Sequence, residues 1–339
     1  MNRKWITWIV SLVALAALGW FFRDQLDFIG DGLRSLRHAE PLPAVLVVVF
    51  ALGAVASMSE VMRRLIGAGG VHVPLREAFA ISMASNAWST TLPGGPAFSA
   101  ILTFQVQRGW GASVALCSYF FFLSSAISTM WLALIGIAGV FFLNADMALG
   151  SLILTVTLMA AATGGIFWLT EHPETLKKWL GHPKLARLRA EVDHLGEVHL
   201  SRWAFGIVSG ASLVHRLLDL LALWAAVWAV TGEMPWLRAG ENATTMAGVA
   251  LAFLTAKLAG SAQVTPGGLG TVEAAIIGPL VATGMTAVGA TSAALIYRLI
   301  SFALVTIIGW VIYFWHYARQ GLTYQALNGK DSSAHSTAS

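Results

Sequence analysis

Six long apolar runs constrain the fold of this chain more than any other feature of its sequence. They cover approximately residues 5–22, 43–62, 112–142, 149–169, 204–231 and 289–315. A membrane-spanning helix needs about 20 apolar residues, so each run can cross a bilayer. With 57% hydrophobic residues, 11% charged residues and a mean hydropathy of +0.70, the chain is also far more apolar than a soluble protein. We therefore predict an all-α, polytopic membrane protein with about six full spans.

Two further apolar segments, 78–104 and 244–284, are each interrupted by the tripeptide Pro-Gly-Gly. Proline has no amide hydrogen to donate and glycine disfavours helix, so the backbone should break at both tripeptides. Inside a membrane, such a break is tolerated only where protein or a water-filled cavity covers the freed backbone groups, and it often marks a transport site. We therefore interpret both segments as re-entrant or broken-helix hairpins.

The distribution of Lys and Arg predicts the orientation of the chain, because cytoplasmic segments carry the excess of positive charge. With the N-terminus inside, 14 of the 21 Lys and Arg residues lie in predicted cytoplasmic segments and four lie in outer ones. Both termini are then cytoplasmic, and residues 1–322 form a single transmembrane domain. The polar segment 171–202 combines apolar residues at helical spacing with six basic side chains, which predicts a cytoplasmic amphipathic helix on an anionic leaflet or a partner protein. The Ser-rich tail, 323–339, should be disordered.

The two hairpins belong to a short internal repeat. In the predicted topology, the spans that precede them cross the membrane in opposite directions, so we predict an inverted repeat with copies at about 43–142 and 204–315. That architecture is typical of transporters. An offset of 173 residues superposes five pairs of positions, which are Pro93 and Pro266, Gly94 and Gly267, Gly95 and Gly268, Gly111 and Gly284, and Ser113 and Thr286.

Charged residues around the second break indicate ion pairs or a binding site, because an unpaired charge at the bilayer centre costs about 2.5–3.5 kcal/mol. Lys257 and Glu273 flank the break and can neutralise each other. Glu273 also falls in the first turn of the following helix, where free amides and the helix dipole favour a carboxylate or a lipid phosphate. Arg298 lies in the final span and can pair with Glu273 or an anionic head group, or extend to the interface.

A second group of ionisable residues lies within the span at 204–231. His215 and Asp219 are four residues apart and share a helix face, while Arg216 and Asp219 are three apart and can pair locally. The group is either a local ion pair or part of a binding site. Together with the two breaks, it completes the set of candidate substrate-binding residues, namely Pro93, Gly94, Gly95, His215, Arg216, Asp219, Lys257, Pro266, Gly267, Gly268, Gly270, Thr271, Glu273 and Arg298.

Other kinds of site find little support in the sequence. The glycines at 268 and 270 are not followed by the Gly-Lys-Ser/Thr of a phosphate-binding loop, and the nine histidines form no metal-binding motif. We predict no catalytic residue, metal, cofactor or nucleic-acid partner. The single cysteine, Cys117, excludes an intrachain disulfide and should be a small buried side chain. The motif Gly206-x-x-x-Gly210 predicts a close helix contact inside the protein.

The run Thr-Pro-Gly-Gly-Leu-Gly-Thr-Val-Glu-Ala-Ala at 265–275, with Tyr-Arg-Leu at 297–299, resembles the C-terminal signature of the lysylphosphatidylglycerol synthase transmembrane family. The resemblance covers roughly residues 5–318 and implies a helical membrane domain that moves phospholipids or lipid-linked sugars between leaflets. The first hairpin departs from the family pattern, in which an acidic residue and an arginine often follow Pro-Gly, because this chain reads Pro-Ala-Phe-Ser-Ala at 96–100. We therefore expect the first half to contribute shape and backbone amides more than charge.

The predicted function is that of a non-enzymatic flippase in a bacterial-type inner membrane, with anionic or glycosylated lipids as its partners. Family members with synthase activity carry a cytosolic aminoacyl-transfer domain, and since this chain ends at Ser339, we do not expect it to make a lysyl-lipid. Two alternatives stay open. One is a small-solute secondary transporter in which Glu273 or Asp219 binds a coupling proton; the other is a non-transporting subunit that docks a lipid or glycan synthase through the 171–202 segment.

Overall fold

The computed structural model describes residues 26–92, 94–143, 201–236, 242–262 and 265–318, together with isolated positions between 150 and 200. The regular structure in these residues is helical, with no strand among them. Several predicted features lie outside the described residues: the span at 5–22, nearly all of the span at 149–169, most of the segment 171–202, the tail and Pro93.

Nine helices make up the described part of the chain. Their bounds are α1 Leu26–Arg37, α2 Pro41–Gly67, α3 Leu75–Thr91, α4 Gly95–Gly109, α5 Val114–Leu143, α6 Arg202–Thr231, α7 Met246–Ala262, α8 Thr271–Ala282 and α9 Ala287–Tyr317. Helix α9 is continuous but widens into π-helical turns at Leu299–Leu304 and Tyr313–Tyr317.

Four of these helices are long and apolar enough to cross a membrane. They are α2, α5 over Val114–Phe141, α6 and α9, and they coincide with the predicted runs at 43–62, 112–142, 204–231 and 289–315. Their apolar residues are not confined to the core, since large side chains such as Phe122 and Ile307 are 67% and 58% exposed. Lipid covers such a surface at a lower free-energy cost than water does, and with four helices of spanning length the chain is an integral membrane protein.

Both Pro-Gly-Gly tripeptides interrupt helices, as predicted, and their surroundings repeat in detail. Gly94 and Gly267 both adopt the left-handed conformation, with φ of 66° and 63°. Ser113 and Thr286 each cap a helix by accepting a hydrogen bond from the amide three residues later, at 3.0 and 3.2 Å. The helices that follow, α5 and α9, begin 173 residues apart. The sequence offset therefore corresponds to a repeated local structure, while the inverted orientation stays a prediction.

The two halves of the chain are interleaved and not simply placed side by side. Helix α2 of the first half packs along α6, and the C-terminal part of α9 packs on α3. At the end of α9, His316 Nε2 lies 3.1 Å from Glu77 Oε2 at the start of α3. Each half consequently completes the core of the other. In one buried cluster, Val47 of the first half lies with Leu223, Phe253 and Ile276 of the second. In the other, Tyr313 of the second half lies with Ile81, Leu102 and Leu123 of the first. Cys117 is buried in the second cluster, as predicted.

Close helix packing occurs at a different glycine from the predicted one. A Cβ placed on Gly206 or Gly210 would meet nothing within 4 Å, so the predicted close contact at that motif is wrong for the described structure. A Cβ on Gly309 of α9 would overlap the carbonyl oxygen of Met83 and would lie 2.9 Å from the Cβ of Ala87. The close approach of α9 to α3 therefore depends on the missing side chain at Gly309.

Substituting Gly309→Ala is expected to destabilise the protein by about 1–3 kcal/mol, because the added methyl group overlaps backbone that cannot rotate away. Thermal unfolding in detergent micelles would measure the change. The matched control is Gly206→Ala, which adds the same methyl group inside a helix with free space around it and should be neutral or slightly stabilising. Equal effects of the two substitutions would contradict the packing described here.

Candidate functional site

The second break is a compact turn made by glycine and threonine. Helix α7 ends at Ala262, a single 3₁₀ turn covers Pro266–Gly268, and α8 begins at Thr271. A Cβ on Gly267 would overlap the ring of Phe302 and would lie 3.0 Å from the carbonyl oxygen of Thr90 in α3. The tip of the second hairpin therefore lies against the last turn of α3, immediately before the first break.

Arg298 ties this break to the final helix. Its Nε donates to Glu273 Oε1 at 2.7 Å, and its Nη2 donates to the carbonyl oxygen of Gly267 at 2.7 Å. Its guanidinium carbon lies 4.3 Å from the centroid of the Phe302 ring, a cation–π contact. The residue is only 7% exposed. The structure thus selects the Glu273 partner from the alternatives that the sequence left open for Arg298.

Glu273 also caps the helix that it begins. The amide of Gly270 donates to Glu273 Oε2 at 2.6 Å, while Oε1 faces Arg298. The carboxylate therefore occupies the start of α8, where the sequence suggested either a helix-start acid or a lipid phosphate. The alternative pairing of Glu273 with Lys257 is wrong, because both carboxylate oxygens are already bonded elsewhere and Lys257 has a different partner.

That partner is Asp219 of α6. Lys257 Nζ forms an ion pair with Asp219 Oδ2, and the hydroxyl of Tyr297 donates to Asp219 Oδ1 at 2.9 Å. The predicted local pair between Arg216 and Asp219 is therefore wrong: Arg216 Nε instead donates to the carbonyl oxygen of Ser128 at 3.3 Å. The reason is that α7 and α9 pack against α6 and bring stronger partners to Asp219 than its own helix can supply.

His215 faces the backbone of a neighbouring helix. Its Nδ1 lies 2.9 Å from the carbonyl oxygen of Ala54 in α2, and since a carbonyl can only accept, the ring donates. The side chain thereby connects α6 to α2. It lines the cavity described next without bonding to Asp219.

A cavity of about 360 Å³ lies between the second break and the last turns of α3. Its charged lining residues are His215 (when protonated), Arg216, Asp219, Lys257 and Arg298. The turn at Gly267 borders it from the second half, and Asn86, Ser89 and Thr90 border it from the first. Because pockets of this size hold small ligands or head groups, this is the candidate binding site.

A second cavity, of about 420 Å³, adjoins the first and shares Asn86, Ser89, His215 and Arg216 with it. Nine serine and threonine hydroxyl groups and the amide of Asn86 line it, and Asn86 Oδ1 is buried without a hydrogen-bond partner in the described structure. Its described lining contains no Asp, Glu or Lys. The first half of the chain therefore contributes uncharged polar groups, as expected from the uncharged residues that follow Pro-Gly-Gly at 96–100.

The structure places the predicted site residues around the first cavity, in the second turn and in the first turn. The structure brings together around the first cavity His215, Arg216, Asp219, Lys257, Gly267 and Arg298, with Glu273 bonded to Arg298. Gly268, Gly270 and Thr271 shape the turn, and the hydroxyl of Thr271 donates to the carbonyl oxygen of Gly268 at 3.0 Å. Gly94 and Gly95 form the first turn, where a Cβ on Gly95 would overlap the backbone of Ser89. They do not appear in the lining of either cavity.

The uncharged half of the site and the role of Tyr297 were not predicted from the sequence. A usable signal existed in the polar residues Ser82, Ser85, Asn86 and Ser89, whose spacing places them on one helix face within an apolar segment. Ser124, Ser125, Ser128 and Thr129 form a comparable face on α5. Among the described residues, no group of three or more His, Cys, Asp or Glu side chains is close enough to hold a metal ion.

The sequence also matches the model of a known protein family. The family model described as "Lysylphosphatidylglycerol synthase TM region" matches residues 8–309, which includes both breaks and every charged residue of the first cavity. A search of curated proteins found no match.

Proposed function

The chain belongs to the lysylphosphatidylglycerol synthase transmembrane-region family, and on that basis we propose that it moves a polar-headed membrane lipid between the two leaflets of its bilayer. Membership supports a membrane protein connected with lipid metabolism. The observation that carries the narrower proposal is the cavity of about 360 Å³, which is bordered by the second helix break and by the last turns of α3 and is lined by charged side chains.

Moving a charged group into hydrocarbon is costly. A head group crossing the bilayer centre loses its hydration, which costs several kcal/mol. A polar cavity between broken helices replaces part of that hydration, because charged and hydroxyl side chains line it. The acyl chains can stay in lipid while only the head group passes through the protein. Transport is then a matter of exposing the cavity to each leaflet in turn.

The proposal includes the finer features of the predicted architecture. We propose six full spans, two re-entrant hairpins related as an inverted repeat, cytoplasmic termini and a bacterial-type inner membrane. The two hairpins would then enter from opposite faces and meet at the cavity, which is supported by the contact between Gly267 and the carbonyl of Thr90. The polypeptide acts without catalysis, and its partners are anionic or glycosylated lipids; docking of a lipid or glycan synthase through the segment 171–202 belongs to the alternative of a non-transporting subunit.

Reconstitution into vesicles would test the proposal. Lipids labelled on an acyl chain are distributed over both leaflets, and a membrane-impermeant reductant then bleaches the outer leaflet. We expect loss of the protected inner-leaflet signal to be faster with the protein than in protein-free vesicles. No acceleration with any anionic or glycosylated lipid would overturn the proposal. Uptake of a soluble glycerophosphodiester without exchange of the corresponding lipid would instead support a small-solute transporter.

A further inference from the structure

Arg216 is the cation of the site whose charge the described structure leaves unbalanced. Lys257 and Arg298 are paired with Asp219 and Glu273. No carboxylate among the described residues lies within ion-pair distance of Arg216, whose Nε reaches only a backbone carbonyl, at 3.3 Å. Three cations thus face two carboxylates. A cation in a site of low polarity is stabilised by a counter-charge, and an anionic ligand would supply the one that the described residues lack.

The position of Arg216 indicates which part of a ligand it would meet. It lies on the shared wall of the two cavities, with paired charges on one side and hydroxyl groups on the other. The second cavity, which we call the hydroxyl-lined cavity, is large enough for a small polyol. Asn86 lies in its wall, and the side-chain oxygen of Asn86 is buried with no partner among the described residues. Some of its hydroxyl groups already donate to backbone carbonyls, as Ser82 does to Ala78 and Ser124 to Phe121, but a hydroxyl oxygen can still accept a hydrogen bond from a polyol. An uncharged, hydroxyl-bearing group is therefore the chemistry that fits this cavity.

A cationic head group fits these two cavities poorly. The described lining of the hydroxyl-lined cavity has no acidic side chain to meet an ammonium group, and the carboxylates of Asp219 and Glu273 are already bonded. An ammonium group in this cavity would instead lie near the guanidinium of Arg216. Like charges at short range in a poorly solvated site repel each other strongly.

We infer that the two cavities form one head-group site for an anionic phosphodiester lipid bearing uncharged hydroxyl groups. Arg216 binds the phosphate, and the hydroxyl-lined cavity, with Asn86 in its wall, binds the polyol. The inference rests on the proposed function and adds a substrate class to it. It also predicts that a lysyl-modified head group is disfavoured, even though the family takes its name from the synthesis of such a lipid.

Three synthetic lipids separate the two contributions. Phosphatidylglycerol carries one negative charge and two hydroxyl groups, phosphatidylmethanol carries the same charge without hydroxyls, and lysylphosphatidylglycerol is cationic overall. Binding to the purified full chain is measured by native mass spectrometry with the lipids at equal concentration. We expect phosphatidylglycerol to bind about tenfold more tightly than phosphatidylmethanol, as two additional hydrogen bonds would give. Lysylphosphatidylglycerol should bind most weakly.

Two variants of the chain test the assignment of each cavity. Arg216→Gln should weaken both anionic lipids by about tenfold and leave their ratio unchanged, because it removes a charge-assisted contact common to both. Arg216→Lys should restore much of the binding, which also shows that the fold survives changes at this position. Asn86→Ala should lower the ratio between the two anionic lipids and leave the binding of phosphatidylmethanol unchanged. Arg76→Gln, at a side chain that is 85% exposed, is the matched control and should change nothing.

The outcomes separate this inference from the proposed function. Equal binding of all three lipids, or an unchanged profile in Arg216→Gln, overturns the head-group assignment even if vesicle exchange is fast. Selective binding that disappears in Arg216→Gln, together with no acceleration of exchange, supports the assignment while removing the flippase. Tightest binding of lysylphosphatidylglycerol would show that the cavity accepts cations and would also overturn the inference.

Discussion

Replacing Arg298 with Met should be the most destabilising substitution in the site, lowering the free energy of unfolding by about 3–5 kcal/mol. Arg298 is buried and bonds both the Glu273 carboxylate and the Gly267 carbonyl. Removing it leaves a buried carboxylate without its cation and frees the turn that borders the cavity. We therefore expect lipid exchange to be lost together with stability. Thermal or denaturant unfolding in detergent micelles, combined with the vesicle assay, measures both.

A double-mutant cycle identifies the origin of that loss. Glu273→Gln keeps an oxygen that can accept from the amide of Gly270, so the helix cap persists while the negative charge is removed. If the cost of Arg298→Met comes from an uncompensated carboxylate, the double variant should be more stable than Arg298→Met alone. A double variant that is as unstable as the sum of the two single ones would show that the ion pair is not the source of the effect.

Replacing Asp219 with Asn should have the second-largest effect, a loss of about 3 kcal/mol. The substitution removes the carboxylate that Lys257 and Tyr297 share and leaves three cations facing only Glu273. The amide oxygen of Asn can still accept from Tyr297, so the loss reports mainly on the pairing with Lys257. The same unfolding measurement applies, and exchange of an anionic lipid should slow.

Two further variants control for this effect. The double variant Asp219→Asn, Lys257→Met should regain part of the stability, since no unpaired Lys257 remains. Tyr297→Phe removes only one hydrogen bond and should cost about 1.5–3 kcal/mol, because its acceptor is charged. If Asp219→Asn were no more damaging than Tyr297→Phe, the ion pair between Asp219 and Lys257 would contribute nothing of its own.

The sequence allowed the helices and the breaks to be predicted because their causes are local. Apolar runs of sufficient length gave α2, α5, α6 and α9. The positions of proline and glycine predicted both breaks, since the backbone preferences of these two residues hold in any sequence context. The helix-start acid at Glu273 is equally local. The repeat could also be detected from short matches, because a turn and a helix cap each need particular residues at fixed positions.

The pairing of charges could not be predicted in the same way. Asp219 and Lys257 are on different helices, and their contact depends on how α6 and α7 pack. Sequence spacing favoured Arg216 as the partner of Asp219, since residues three apart on a helix are neighbours. Tertiary packing overrode that preference. The hydroxyl-lined cavity was missed because serine and threonine are too common in membrane helices to stand out unless their periodicity is examined.

Gly309 packs against Met83 and Gly267 against Thr90, so these contacts can form only after the second half of the chain has been synthesised. During translation, α3 and its break are made long before the part of α9 that packs against them, which begins at Val305. The face of α3 that α9 covers therefore stays unpacked while more than 200 further residues are added. Contacts of such large sequence separation form late and slowly. We therefore expect that truncation shortly before α9 leaves this face of α3 unpacked and makes the shortened chain a substrate for quality-control proteases.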